Sequence, residues 1–337
     1  MQNNIWKITG TAVQGRSHIA NDIPCQDKIF SMSENGITAI ALADGAGSAS
    51  MSHYGAETAV KTVCEYICDN FEDIIKEPEA FTVKKAIMTH IRECLEELVE
   101  EFECDLYEVS STLIAAAADN ENVLLIHIGD GIAGYFKNGE LLVASYPDNG
   151  EFKNETTFTT SPDTLQRMRL LKGNIAGISG FVLMSDGAAE SFFDRQNKKF
   201  IALTNEIKRR CIMYPQHDND EELKVLFENK IRYNRTRDDC SMILMCHADE
   251  YFRGYRDLDE YDQNVFLGTR TSEGKCNREK IFDIMANSEY ISRSQVIKSG
   301  CETGLKRKQV TGLLRNLNKD NLIKKVFLHG YKLNFDY

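Results

Sequence analysis

Only five prolines and one tryptophan occur in the 337 residues, and no Gly/Ser or Gln/Asn tract interrupts them. Proline-rich spacers and low-complexity disorder are thereby excluded for most of the chain. No uninterrupted apolar run approaches the roughly 18 residues of a spanning helix. The opening MQNNIWKITG has no basic segment leading into an apolar stretch. A cytoplasmic protein without membrane contact is therefore expected. The ten cysteines lack the dense spacing of a secreted disulfide scaffold and are read as reduced thiols. Cys64 and Cys68 share a helical face at i, i+4, but a metal site there lacks further ligands.

What is present is a globular composition, 42% hydrophobic, with an uneven charge. The net charge is −11, yet residues 275–337 hold 13 Lys and Arg against 6 Asp and Glu, a net +7, leaving −18 on residues 1–274. Length and charge together indicate two domains. We place them at 1–250 and 276–337, with the polar stretch 251–275 as linker.

IWKITGTAVQ (5–14) and ITAIALA (37–43) read as strands, and two helical patterns follow at 52–75 and 79–103. Strands then come in quick succession at 111–118, 122–129, 132–139 and 140–146, joined by ADNEN and KNGE, residues suited to hairpins. After a polar stretch come a strand at 181–187, helices near 198–213 and 219–231, and a last strand at 240–247. Antiparallel sheets with helices outside make a layered α+β sandwich.

Three apolar strands run into Asp-Gly, in ALADG (Asp44), HIGDG (Asp130) and LMSDG (Asp186). RTRDDCSMILM puts Asp238 and Asp239 just before the last strand, and DIPCQDKIF puts Asp27 at the start of an early one. Asp-Gly is also ordinary turn chemistry, but its recurrence at strand ends points to one carboxylate-lined cleft. Such a cleft is costly unless cations compensate it, and Mg²⁺ or Mn²⁺ suit an oxygen-only donor set.

The motifs SHIANDIPCQDKIF, IALADGAGSAS, SSTLIAAA, IHIGDGIAGYF, FVLMSDGAAESF and TRDDCSMILM, in that order across residues 7–248, resemble the metal-dependent Ser/Thr protein phosphatases of the 2C type, particularly compact bacterial members. The resemblance implies a four-layer α-β-β-α sandwich of two antiparallel sheets. It also implies two Mn²⁺ or Mg²⁺ ions, a third in some members, and hydrolysis of phosphoserine or phosphothreonine in a protein by water bridging two of the ions. By position in the motifs, Asp44 and the Gly45 carbonyl, Asp186 and Asp238 match direct ligands. Asp130 matches a residue for the third ion, and Asp27 one that holds the site through water. Asp239 stands where many relatives have Asn and is expected behind the ligands. The glycine after Asp44 is expected to let main-chain oxygen approach an ion, and the small residues beyond it to leave phosphate room. No Cys-x5-Arg loop is present, consistent with hydrolysis without a covalent intermediate.

Two departures stand out. Ala46 replaces a histidine common after the Asp-Gly pair, and Asp22 occupies the place of a phosphate-gripping arginine. His18 is the candidate to touch phosphate or protonate the leaving alkoxide, with Arg16 as a weaker one.

The basic tail reads as three helices and two strands about an HG turn, the order of a winged helix-turn-helix. Leu305, Val310, Leu313, Leu314 and Leu317 are expected inward, and Lys306, Arg307, Lys308 and Arg315 outward, toward a protein or DNA. The leading expectation is a phosphatase acting opposite a Ser/Thr kinase, targeted or regulated by this module. The alternative is a transcription regulator or scaffold whose phosphatase-like domain senses with weak or no activity.

Overall fold

A strand that is apolar at nearly every position needs two buried faces. In the computed structural model, β3 (Ile37–Ala43) and β4 (Leu113–Ala118) meet that need by lying between helices and a second sheet. Ala39, Ala41, Leu113, Ala115 and Ala117 face α2 (Ser52–Lys76) and α3 (Ala80–Phe102). Ile40, Leu42 and Ile114 face Leu183, Ile243 and Met245 of the second sheet. Small residues on the helix side let α2 approach closely, while larger ones fill the space between the sheets.

The structure describes residues 6–148, 156–213 and 216–247, five positions between 260 and 269, and 271–333 except 287, 289, 321 and 327–329. The chain forms two compact units, Met1–Ala248 and Asp249–Tyr337. In the first, one sheet has the order β2 (Lys28–Glu34), β3, β4, β5 (Asn122–Ile128), β8 (Arg169–Asn174). The other runs β1 (Trp6–Val13), β12 (Cys240–His247), β9 (Ile178–Met184), β6 (Ile132–Lys137), β7 (Glu140–Ser145). Neighbouring strands are antiparallel in both. A single turn of helix, α4 (Thr164–Arg167), leads into β8. Helices α5 (Asp186–Phe192), α6 (Leu203–Met213) and α7 (Gln216–Leu226) cover the outer face of the second sheet, completing four layers.

Helix α2 buries Ala56, Ala59, Val60, Val63, Cys64, Ile67, Cys68, Phe71 and Ile74, a stripe of helical period. Cys64 and Cys68 are therefore core residues, and all ten cysteines are free. Gly55 lies where α2 meets the turn Leu106–Val109: an added Cβ would fall 1.9 Å from the Val109 carbonyl oxygen. Gly55→Ala must push the helix off that turn and should cost about 3 kcal/mol, read as a lower urea midpoint at unchanged slope.

Register decides where the chain crosses between layers. Val13 pairs with Cys240, Met242 with Met184, Met184 with Ile132, Lys28 with Ala43 and Leu113 with Ile128. These pairs put the ends of β1, β3, β5 and β9 and the starts of β2, β4, β6 and β12 at one end of the sandwich. Every motif aspartate follows or precedes one of these strands.

Several elements differ from expectation. Edge strand β8 escapes the hydrophobic pattern because it has no buried residue, whereas edge strand β2, equally without one, begins after Asp27 as expected. The strand expected at 181–187 ends at Met184, so Asp186 opens α5, where a carboxylate is favoured by the helix dipole. The helix expected from 198 starts at Leu203, after a small pairing of β10 (Phe193–Asp194) with β11 (Lys199–Phe200). By the resemblance, residues 149–160 stand where relatives carry a mobile flap and are equally well an ordinary surface loop; 149–155 of them lie outside the described residues.

In the second unit, α8 (Ser272–Ala286), α9 (Arg293–Glu302) and α10 (Arg307–Lys319) precede an antiparallel pair, β13 (Ile323–Val326) and β14 (Gly330–Leu333). A bridge joins Ile291 to Tyr331. Helix α9 opens with a capping box, Ser292 with Gln295. Leu305, Val310, Leu314 and Leu317 are buried with Phe282, Met285 and Val296, while Lys306, Arg307, Lys308 and Arg315 are exposed.

Candidate metal centre

Asp44 directly follows β3 and is tied down through its main chain. Its N–H donates to Thr112 Oγ1 at 2.9 Å, and its carbonyl accepts from Thr112 N–H at 2.8 Å. Gly45 bridges Ser111 through the bonds of its neighbours, Ala46 N–H donating to the Ser110 carbonyl, so the Gly45 carbonyl is not spent there. Ser52 at the start of α2 is what demands glycine at 45, since an added Cβ would lie 2.8 Å from the Ser52 Cβ. Ala46 and Ala49 are buried, whereas Gly47, Ser48 and Ser50 of the same loop are exposed. Ser48 and Ser50 fasten the loop to Tyr107 and Glu108.

Four other carboxylates act on Asp44. Burial and the charges of Asp27, Asp186, Asp238 and Asp130 raise its pKa well above the ordinary carboxylate value. Asp27 is 1% exposed, and neither of its carboxyl oxygens has a hydrogen-bond partner. Desolvation, with the charge of Asp239 next and that of Asp186 smaller, pushes Asp27 up to about 7, although the nearby Ser241 and Ser185 hydroxyls oppose the rise. Asp186 is pushed up to about 6 by burial and by Asp130 and Asp238, and its Oδ1 is also buried without a partner. Asp130 accepts from Thr156 Oγ1 at 2.7 Å. Asp238 is exposed.

Asp239 lies behind this group. It is 2% exposed, and its two oxygens accept from the Gly15 N–H at 2.6 Å and the Gln26 N–H at 2.5 Å. Those bonds tie the loop between β1 and β2, which carries Asp27, to the loop before β12. Gly15 permits this approach, because a Cβ there would fall 2.2 Å from the Asp238 carbonyl carbon. His18, on α1 (Arg16–Asn21), enters the same corner: its Nδ1 is 2.9 Å from Asp239 Oδ1 and its Nε2 3.7 Å from Asp238 Oδ1.

Arg16 does not face the carboxylates. Its guanidinium donates to the Thr236 carbonyl and lies over the Tyr233 ring. Asp22 ends α1 in the left-handed conformation, φ 55°, and is exposed. Such a backbone tolerates aspartate better than most residues. The sequence carried no signal for Thr156 or for the roles of Gln26, Ser185 and Ser241. A cavity of about 690 Å³ lined by Glu190, Phe193, Arg195 and Arg235, among others, contains none of the clustered aspartates.

Five carboxylates at one end of a sandwich, with buried oxygens on Asp27 and Asp186 that make no well-formed hydrogen bond, form a donor set of hard oxygens suited to Mn²⁺ or Mg²⁺. The family description Protein phosphatase 2C matches residues 14–226; this span stops short of Asp238, which the fold returns to the cluster through β12. The chain is 26% identical over 175 residues to Serine/threonine-protein phosphatase 3 of Escherichia coli (strain K12), a match covering 48% of this chain and 66% of that protein's length. In fold it is similar to a point variant of a bacterial serine phosphatase, at 15% identity and TM-score 0.51, covering 71% of this chain and 97% of the other. A C. elegans sex determining protein gives 14% identity and the same TM-score, covering 71% and 64%. Over most of its length, and with the strand ends and carboxylates arranged as described, this chain belongs to the protein phosphatase 2C family.

Proposed function

We propose that the protein hydrolyses phosphoserine or phosphothreonine in protein substrates, in opposition to a Ser/Thr kinase, using two Mn²⁺ or Mg²⁺ ions. One observation carries this reading: the charges of Asp27, Asp130, Asp186 and Asp238 all bear on Asp44. Asp44, Asp186, Asp238 and the Gly45 carbonyl would hold the two ions, with Asp130 serving a third and Asp27 supporting from behind. Bound there, divalent ions make water nucleophilic near neutral pH and neutralise charge on phosphoryl oxygens. The chain's own contribution is to hold the carboxylates ready, through the Thr112, Thr156, Gly15 and Gln26 bonds. Hydrolysis of p-nitrophenyl phosphate and of a phosphopeptide should rise with added Mn²⁺ and vanish in EDTA. Failure to cleave either substrate at any Mn²⁺ or Mg²⁺ concentration would overturn the reading.

Ala46 and Asp22 favour a second reading, in which turnover is weak and the domain senses a partner, because neither residue supplies a proton or a cation to phosphate. A ligand-dependent rise in melting temperature without turnover would support it.

The second unit is taken as a winged-helix module that targets or regulates the phosphatase from the cytoplasm. Among the described residues no helix is long and apolar enough to cross a membrane. What supports the module reading is the exposed run Lys306, Arg307 and Lys308 with Arg315 on α10, a surface fitted to an acidic face of a protein or to DNA. If the partner is DNA, the full chain should bind a duplex with affinity falling steeply from 50 to 200 mM salt. Replacing these four residues with Gln should flatten that slope. Absence of binding by the wild type at low salt removes the DNA arm and leaves protein recruitment.

A further inference from the structure

His18 is only 8% exposed, an unusual place for an imidazole beside so many carboxylates. Its ring sits against two consecutive aspartates with one nitrogen facing each. Nδ1 has the distance of a hydrogen bond to Asp239 Oδ1, 2.9 Å, but not the angle of one, and it is buried without another partner. Asp239 is a fixed wall, since the Gly15 and Gln26 amides already hold both of its oxygens. Nε2 and Asp238 Oδ1, at 3.7 Å, are too far apart to hydrogen-bond. Two donor atoms of one ion, each about 2.1 Å from it, stand roughly 3 to 4 Å apart. Among the described residues the three side chains form a group of potential ligands whose donor atoms all lie within 4.8 Å of one another. The second residue of the aspartate pair, which sequence alone places behind the site, thus has a specific task. It borders the Nδ1 side of the ring and leaves Nε2 toward Asp238.

We propose that His18 Nε2 is a nitrogen ligand to the divalent ion held by Asp238, with Asp239 fixing the ring from the other side. A ligating histidine usually donates its other ring N–H to a carboxylate, and with Nδ1 already 2.9 Å from Asp239 Oδ1 a turn of the ring is all that such a bond requires. The assignment rests on the reading of Asp238 as an ion ligand. It gives the site a chemistry that the carboxylates alone do not have. Imidazole suits first-row transition ions, whereas Mg²⁺ prefers oxygen. Preference for Mn²⁺ over Mg²⁺ is thereby built in by a residue more than 200 positions from its partner in the chain.

The full-length protein loaded with Mn²⁺ should show nitrogen coupling of an imidazole in pulsed electron paramagnetic resonance. That signal should disappear in His18→Ala and His18→Gln. By calorimetry, Mn²⁺ affinity should fall about tenfold in both variants, while Mg²⁺ affinity changes less than about twofold. The wild-type spectrum needs no variant to fold, so loss of structure in either substitution does not shield the proposal. If wild-type protein binds Mn²⁺ stoichiometrically without nitrogen coupling, His18 is not a ligand and the proposal is overturned. The same holds if folded variants keep the Mn²⁺ affinity and lose only turnover, which would make His18 a proton donor. If the wild type binds no Mn²⁺ at all, the reading of the aspartate cluster itself fails, a different and separable result.

Discussion

Asp44→Asn should abolish Mn²⁺-stimulated phosphate ester hydrolysis and, in the same molecule, make the metal-free fold more stable at pH 8. The two effects have one cause. Asparagine keeps the side-chain volume and leaves the main-chain bonds to Thr112 intact. What it removes is the charge that four other carboxylates oppose. Without that charge the ions lose their shared anchor, and the expected drop in turnover at saturating Mn²⁺ is about a thousandfold, equivalent to about 4 kcal/mol of barrier. In EDTA the same loss of charge relieves repulsion, so the variant should melt above the wild type. Function obtained at the expense of stability is the general pattern at such sites. A folded variant retaining more than a tenth of wild-type activity would show that Asp44 is not the shared ligand. One melting below the wild type in EDTA would show that the cluster is not repulsive.

The second large effect is on stability against pH. Folding raises Asp27 to about 7 and Asp186 to about 6, both above an unfolded value near 3.8. A group raised in this way favours its protonated form in the fold. Its contribution is fully present below the unfolded pKa and is lost as pH rises through the folded one. Metal-free protein should therefore lose stability between pH 4 and about pH 7.5, by a few kcal/mol for the coupled group as a whole. We expect a lower melting temperature in EDTA at pH 8 than at pH 5. Mn²⁺ at about a hundred times its dissociation constant should add roughly 2.7 kcal/mol at pH 8, several degrees for a protein of this size. Asp27→Asn, which removes the most deeply buried carboxyl of the group, should flatten the metal-free pH dependence. An unchanged slope in that variant, or equal wild-type melting at both pH values in EDTA, contradicts the assignment of the repulsion to this cluster.

The parts of the fold legible in the sequence were those under strong local constraint. ITAIALA and LIAAAA read as buried strands because a run with at most one polar residue has nowhere else to lie, and α2 read as a helix because its core stripe recurs every three or four residues. β8 was not legible, since an edge strand with no buried residue carries little alternation, and β2 was legible only at its start, after Asp27. The crowding around the loop after Asp44 was not legible: Gly45 meets Ser52, and Gly55 meets the Val109 carbonyl. Arg16 was a reasonable cation on paper but is occupied by Thr236 and Tyr233.

By itself the sequence determined the layers, the oxygen-rich chemistry and the identity of the aspartates, because strand periodicity and Asp-Gly strand ends are local properties. Tertiary structure alone decided which carboxylates repel one another, why Gly15 and Gly45 must be glycine, and how His18 comes to face Asp238 and Asp239. The approach of Gly15 to Asp238 and of His18 to both aspartates depends on the pairing of β1 with β12, which joins residues more than 200 positions apart in the chain. A distance of 2.9 Å across such a gap follows from register and from backbone contact between two loops, and no periodicity within either segment encodes it.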